Sequence, residues 1–306
     1  MMHEINFKAM GCHMLAILDS QNARSADILR RVPGWFAEWE QSLSRFQPDS
    51  ELSQLNRHAG ERRHVSPTLK NVFQAALEME KRSENLVTPT VLDSLVSAGY
   101  DRSFDEMPPI MALGNHTETP CPSTTTIEWD EVNDTIALPY GTHLDFGGVA
   151  KGWAAQQTVR RLKSYGPVLV DAGGDIAISS LQRDGQPWQV AIADPFHPEE
   201  DLQMLRLGRC GVATSGTDFR HWIRDGKKTH HIIDPRTGMP AVTDVLSATI
   251  IAPSVVEAEM AAKVALISGS ENGMLWLNNQ SSYAGIFILE DGRRLYSHRI
   301  ENYLWR

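Results

Sequence analysis

A pair of histidines, His230 and His231, runs directly into the turn Asp234-Pro235-Arg236-Thr237-Gly238. Proline presets φ and glycine tolerates positive φ, so this segment is a tight corner. The apolar Cys210, Val212, Ile232 and Ile233 predict strands entering and leaving, which places His231 at a strand end beside a rigid loop. An imidazole there can exchange a proton with a ligand near neutral pH. A surface hairpin with an incidental histidine explains the same residues equally well. Thr214-Ser215-Gly216 is not a nucleophile elbow, because Ala213 and Thr217 stand where that motif needs glycine.

Gly147-Gly148 precedes a predicted helix that continues through Val159 and Leu162, with Lys151 one turn in. Backbone N–H groups at a helix start favour phosphate, glycine admits close approach, and lysine adds a point charge. The spacing is neither a P-loop nor a dinucleotide fingerprint, and a glycine-rich turn with a solvated lysine accounts for it as well. Asp171-Ala172-Gly173-Gly174-Asp175 brings two carboxylates round a Gly-Gly turn, suited to a sugar or amide of a ligand or to a plain hairpin. Glu259 and Lys263, four apart after Pro253-Ser254, share one face of a predicted helix. Such pairs are commonly surface ion pairs worth about 0.2–0.5 kcal/mol. Here Ala258, Ala261, Ala262 and Ala265 favour close packing and a buried or cleft-facing position.

The elements that must position these groups read as an α+β arrangement. Met14 to Leu18 is a predicted strand after the Met10-Gly11 turn. Leu29, Val32, Phe36, Trp39, Leu43 and Phe46 form one apolar helical stripe, which Pro33 must start afresh or kink. Ser66-Pro67 is a helix start, with a serine cap and proline at the first position. Leu86-Val87-Thr88-Pro89-Thr90-Val91 is a loop leading to a helix that ends near Gly99-Tyr100. Residues 101–126 shift to proline, serine, threonine and acid without periodicity, which predicts a mobile surface insertion. Beyond it, strands are predicted at 126–129 and 135–138 around Asn133-Asp134, then at 168–170, 176–178, 188–192, 248–251 and 286–289. Strands alternate with helices irregularly, which favours α+β over a doubly wound sheet.

With 306 residues and 42% hydrophobic content, the chain can bury a large core. A formal charge of -9 with no basic block excludes general nucleic-acid binding. Cys12, Cys121 and Cys210 are too few and scattered for a disulfide framework or a zinc motif. Ala9-Met10-Gly11-Cys12 superficially looks like the end of a lipoprotein signal, but Met1 to Lys8 holds no apolar core, and no run approaches a membrane span. The expectation is a soluble, unexported, complete protein of the cytoplasm, without membrane insertion.

Taken in order, Ala9-Met10-Gly11, Ser44-Arg45-Phe46 with Ser50-Glu51-Leu52 and Leu55-Asn56, Asp145 to Gly152, Ala172-Gly173-Gly174-Asp175, Ala213-Thr214-Ser215-Gly216 and His231 to Gly238 form a recognisable series. The chain resembles the ApbE-type FAD:protein FMN transferases over nearly its whole length. The resemblance implies a single tunnelling-fold-like α+β domain over residues 1–306. It implies an enzyme that cleaves FAD and attaches FMN through a phosphoester to a Thr or Ser of an acceptor flavoprotein, releasing AMP. It places FAD contacts at Met10, Phe46, Leu86, Val87, Thr88, Asp145, Lys151, Ile232 and Lys263, and a general base at His231. Magnesium ligation falls at Gly148 and Glu259. Four features depart from the family pattern: the aspartate and threonine of the late helix are Glu259 and Lys263, a frequent tyrosine is Phe46, the acidic residue before Pro89 is Thr88, and the export signal is absent. The alternatives are a non-catalytic FAD-binding protein with a degenerate metal site and an FAD pyrophosphatase.

Overall fold

The computed structural model describes residues 1–111, 118–224 and 226–305. The chain divides into two compact units, one of residues 1–36, 151–219 and 242–306, the other of residues 37–150 and 220–241.

The first unit is built on an eight-stranded sheet. Its strands are Met2–Ala9, Cys12–Asp19, Val168–Ala172, Asp175–Ile178, Cys210–Gly216, Val245–Ala252, Ala284–Leu289 and Arg294–Tyr296. They lie side by side in chain order. Every neighbouring pair is antiparallel. The second unit is therefore two insertions into one meander, after the second strand and after the fifth. The first hairpin turns at Met10 and Gly11, with φ of 49° and 68°, the two-residue turn whose twist matches its strands.

All eight residues of Val245–Ala252 are buried, so this central strand is covered on both faces. On one face Val212 and Ile251 join Leu169, Trp188, Leu205 and Ile286 in a core that includes the hairpin of Trp188–Ala193 and Asp201–Leu207. Alternation turns Gly211 to the other face, where a Cβ would come within 2.0 Å of Val255 N. Glycine at 211 lets the helix Val255–Asn279 lie close on the sheet. Ser254 caps that helix by accepting from Glu257 N–H, and its hydroxyl donates to Glu257 Oε1. Gly269, with φ of 77°, interrupts the helix.

In the second unit the helix Pro67–Arg82 starts where Ser66-Pro67 predicts, with Ser66 Oγ accepting from Leu69 N–H. Its buried face carries Leu69, Val72, Phe73 and Ala76. Strands Arg62–His64, Thr135–Ala137 and Glu128–Asp130 form one small sheet. The last two make the expected hairpin, with Asp134 at a φ of 51°. A second sheet joins Lys227–His230, His221–Arg224 and Ile110–Met111. The helix Val32–Leu43 begins in the first unit and ends in the second, with Pro33 in its first turn, where no intrahelical N–H is needed. Around the proposed insertion, the N–H groups of Thr119 and Cys121 donate to Thr237 and Pro235 carbonyls. Of residues 101–126, for which mobility is expected, 112–117 lie outside the described residues.

Candidate functional site

In the second unit the chemistry is organised around Arg45. The chain leaves the helix Val32–Leu43 at Ser44, whose carbonyl accepts from the hydroxyls of Ser50 and Ser53. Ser50 also caps the helix Glu51–Arg57, so the Ser44-Arg45-Phe46 segment is held at both ends. Arg45 Nε donates to Asp145 Oδ2 at 2.8 Å, with both side chains buried. Asp145 Oδ1 accepts from Gly147 N–H at 2.8 Å, and Asp145 N–H donates to Pro89 O. Just before it, the buried Asn56 side chain bonds both the N–H and the C=O of Leu144, each at 2.8 Å. These contacts fix the carboxylate without fixing it to a ligand.

The Arg45 guanidinium lies 4.1 Å from the Phe46 ring centre and 4.6 Å from that of Tyr100. Cation–π attraction at such distances is worth about 0.5–2 kcal/mol and holds both rings against a planar cation. Phe46 keeps 41% of its surface exposed, which leaves a ring face for a ligand. Arg45 Nη2 is buried and makes no hydrogen bond among the described residues. Tyr100 also packs against Trp222 and against His231, with ring centres 5.8 and 6.3 Å apart.

The two adjacent histidines have separate fates, because neighbours along an extended chain point to opposite sides. His230 ends the strand Lys227–His230 and is buried. Its Nε2 donates to Ala241 O at 3.0 Å and its Nδ1 accepts from Ile232 N–H at 3.3 Å. Burial pushes its pKa down to about 4, so it is a neutral, structural imidazole. His231 lies just past the strand end, as the sequence predicts, and is half-buried. Its Nδ1 lies 3.3 Å from the Arg220 carbonyl. A carbonyl only accepts, so Nδ1 carries the hydrogen and Nε2 is the basic nitrogen.

Ile232 is buried, with its N–H given to His230 and its C=O accepting from Ala241 N–H. Leu86, Val87 and Thr88 are half-buried. Val87 N–H bonds Ser83 Oγ, and the Thr88 hydroxyl caps the short helix Pro89–Val91 and meets Thr90 Oγ1 at 2.9 Å. Gly148 stands just before the helix Ala150–Leu162 and Met10 in the first hairpin turn.

In the first unit, Lys151, Asp175, Glu259 and Lys263 converge. Lys151 Nζ donates to Asp175 Oδ2 and lies 3.6 Å from Glu259 Oε1. Lys263 Nζ reaches the same Glu259 oxygen at 3.2 Å. Glu259 is 2% exposed, so the pair predicted by helical spacing is buried at its acidic end. Gly152 makes the room: a Cβ there would stand 2.7 Å from Glu259 Oε2. That oxygen has no hydrogen-bond partner among the described residues. Burial works against the charges of Lys151, Asp175 and Glu259. For Lys151 the attraction of Asp175 and Glu259 outweighs it and raises the ammonium pKa. For Asp175 burial and the repulsion of Glu259 raise the carboxyl to about 6. For Glu259 the two lysines prevail over burial and hold it below its usual value.

Magnesium asks for about six oxygen donors at near-octahedral angles. Glu259 instead presents one oxygen already claimed by two ammonium groups and another enclosed against Gly152. At about 4 Å and an effective dielectric near 20, like unit charges repel by roughly 4 kcal/mol, and a doubly charged ion would feel about twice that from each lysine. Among the described residues no three His, Cys, Asp or Glu side chains are grouped to hold a metal. The residues present do not fit a divalent ion at Glu259.

Arg45, Asn56 and Tyr100 were not assigned a role from the sequence. Arg45 and Asn56 lie inside the Ser44-Arg45-Phe46 and Leu55-Asn56 motifs, so the signal was a polar residue fixed beside a predicted ligand contact.

A family model described as the ApbE family matches residues 10–287, spanning both units. A protein of Vibrio cholerae named FAD:protein FMN transferase is 31% identical over 283 residues, covering 90% of this chain and 84% of that one. Its namesake from Treponema pallidum is 30% identical over 279 residues, 83% of this chain and 75% of that one. The solved ApbE protein of Thermotoga maritima shares the fold at a TM-score of 0.89, with 23% identity and 100% of both chains covered. Motif order, fold and sequence agree, and the chain belongs to the ApbE family.

Proposed function

We propose that this chain is an FAD:protein FMN transferase, moving the FMN moiety of FAD to a Thr or Ser hydroxyl of an acceptor flavoprotein. The observation that carries the reading is the contact of His231 Nδ1 with the Arg220 carbonyl at 3.3 Å. Donation from Nδ1 to Arg220 O leaves Nε2 basic, at a strand end beside the aromatic group of Phe46, Tyr100 and Trp222. In this reading Nε2 takes the acceptor hydroxyl proton as the oxygen attacks the FMN-side phosphorus. One P–O bond forms, the bond to the bridging oxygen breaks, and AMP leaves with that oxygen. On the second unit Phe46 offers its ring to FAD, with Leu86, Val87, Thr88, Asp145 and Ile232 as the further contacts. On the first unit the proposed contacts are Met10, Lys151 and Lys263, the lysines for phosphate.

No helix among the described residues is long and apolar enough to cross a membrane. A cytoplasmic setting is part of the proposal and rests on three scattered cysteines that suit a reducing compartment.

The test is product analysis with FAD and a flavoprotein acceptor carrying a Thr or Ser site. AMP together with covalently flavinylated acceptor supports transfer. AMP with free FMN assigns the chain to pyrophosphate hydrolysis instead, and intact bound FAD makes it a binding protein.

A further inference from the structure

The first unit places two ammonium groups on one buried carboxylate oxygen, with Lys263 3.2 Å and Lys151 3.6 Å from Glu259 Oε1. We propose that Lys263, oriented by Glu259, is a tethered cation that binds the diphosphate of FAD together with Lys151, so that this phosphate site works without a divalent ion. The inference rests on the transferase reading and names the counter-charge its substrate meets.

An ordinary surface ion pair leaves both partners in water. Here the Glu259 side chain is 2% exposed, whereas those of Lys263 and Lys151 retain 17% and 15%. The acid is enclosed, whereas both lysine side chains keep some accessible surface. Burying such a pair adds little stability over apolar packing, so stability alone is a poor reason for it. An ammonium carries three donors. Lys263 Nζ uses them toward Glu259 Oε1 at 3.2 Å and, weakly, the Glu259 carbonyl at 3.5 Å, so donor capacity remains. Lys151 is anchored from the other side by Asp175. Two fixed ammonium groups suit a diphosphate, which lysine binds as a point charge without a metal's coordination shell. The same charges repel the ion that would otherwise do this work.

Metal-stripped wild-type protein is titrated with inorganic pyrophosphate in chelator, then with magnesium present, and with magnesium alone. The expected results are binding in chelator, no tightening by magnesium, and no magnesium binding at this site. Lys263→Met should weaken pyrophosphate about tenfold or more, the loss of one charge-assisted hydrogen bond. Lys263→Arg should retain most of the affinity. Pyrophosphate binding that requires magnesium, or that is unchanged in Lys263→Met, overturns the proposal. If a variant does not fold, as judged by circular dichroism, the wild-type comparison with and without magnesium decides alone. The transferase reading is separated by its own readout. FMN transfer that needs magnesium overturns the tethered cation and leaves the reading intact. Metal-free pyrophosphate binding through Lys263 without any FMN transfer does the reverse.

Discussion

Arg45 and Asp145 form a buried ion pair, Nε to Oδ2 at 2.8 Å, that joins the exit of one helix to the glycine turn before another. Removing one partner of such a pair strands the other charge, at a cost of about 3–5 kcal/mol, whereas replacing both often costs little. Asp145→Ala is therefore expected to lower unfolding free energy by about that amount, and Arg45→Met with Asp145→Ala to recover most of it. Urea denaturation of the two single variants and the double variant gives the cycle. Additive losses would mean that the two groups do not depend on each other.

His231→Ala is expected to reduce FMN transfer about 10²–10⁴-fold, the usual worth of a general base, with FAD affinity little changed. His230→Ala should act on stability, because it removes hydrogen bonds to Ala241 O and Ile232 N–H. Transfer rates and flavin-fluorescence titrations of both variants separate the roles. Transfer by His231→Ala within about threefold of wild type would exclude it as the base.

Much of this could be read from the chain. Local signals gave the capped start at Ser66-Pro67, the restart at Pro33 and the hairpin at Asn133-Asp134, because caps and turns act within a few residues. Motif order gave the family and hence the fold. The strand Met2–Ala9 was missed because it is an edge strand with alternate residues exposed, so only Ile5 and Phe7 mark its inner face. The roles of Arg45 and Asp175 were hidden for another reason: their partners, Asp145 and Lys151, lie on other elements. Helical spacing put Glu259 and Lys263 on one face, yet it could not tell that Lys151 comes to the same oxygen.

His230 should also make stability pH-dependent. Burial lowers its pKa from 6.5 to about 4, so the unfolded chain binds this proton more readily than the folded one. The stabilisation is complete above the unfolded value and is lost as pH falls from about 6.5 to 4, by roughly 3 kcal/mol in all. Asp175 works in the opposite sense, since its raised pKa makes stability fall with rising pH between 3.8 and about 6. Subtracting the curve of His230→Gln from that of wild type removes the Asp175 contribution. The difference should lean toward wild type as pH rises across the histidine window, and a flat difference would contradict the buried neutral imidazole.

Gly152→Ala tests whether the position of the Glu259 carboxylate matters. A Cβ at 152 would stand 2.7 Å from Glu259 Oε2 and 3.5 Å from Val255 Cγ2. The first contact is too short to persist, so the carboxylate must move, and Oε1 must leave its place between Lys151 and Lys263. Two stability effects oppose each other. Alanine gains about 1 kcal/mol over glycine in a helix, and crowding a packed site costs about 1–3 kcal/mol. The net is a loss of zero to about 2 kcal/mol, which says nothing of where the carboxylate sits, so binding is the informative readout. Pyrophosphate affinity in chelator is expected to fall in Gly152→Ala, because the two ammonium groups lose the carboxylate that orients them. Thermal unfolding shows that the variant is folded, and titration calorimetry with pyrophosphate reads the site. An affinity equal to wild type would mean that Lys263 binds phosphate without being oriented by Glu259.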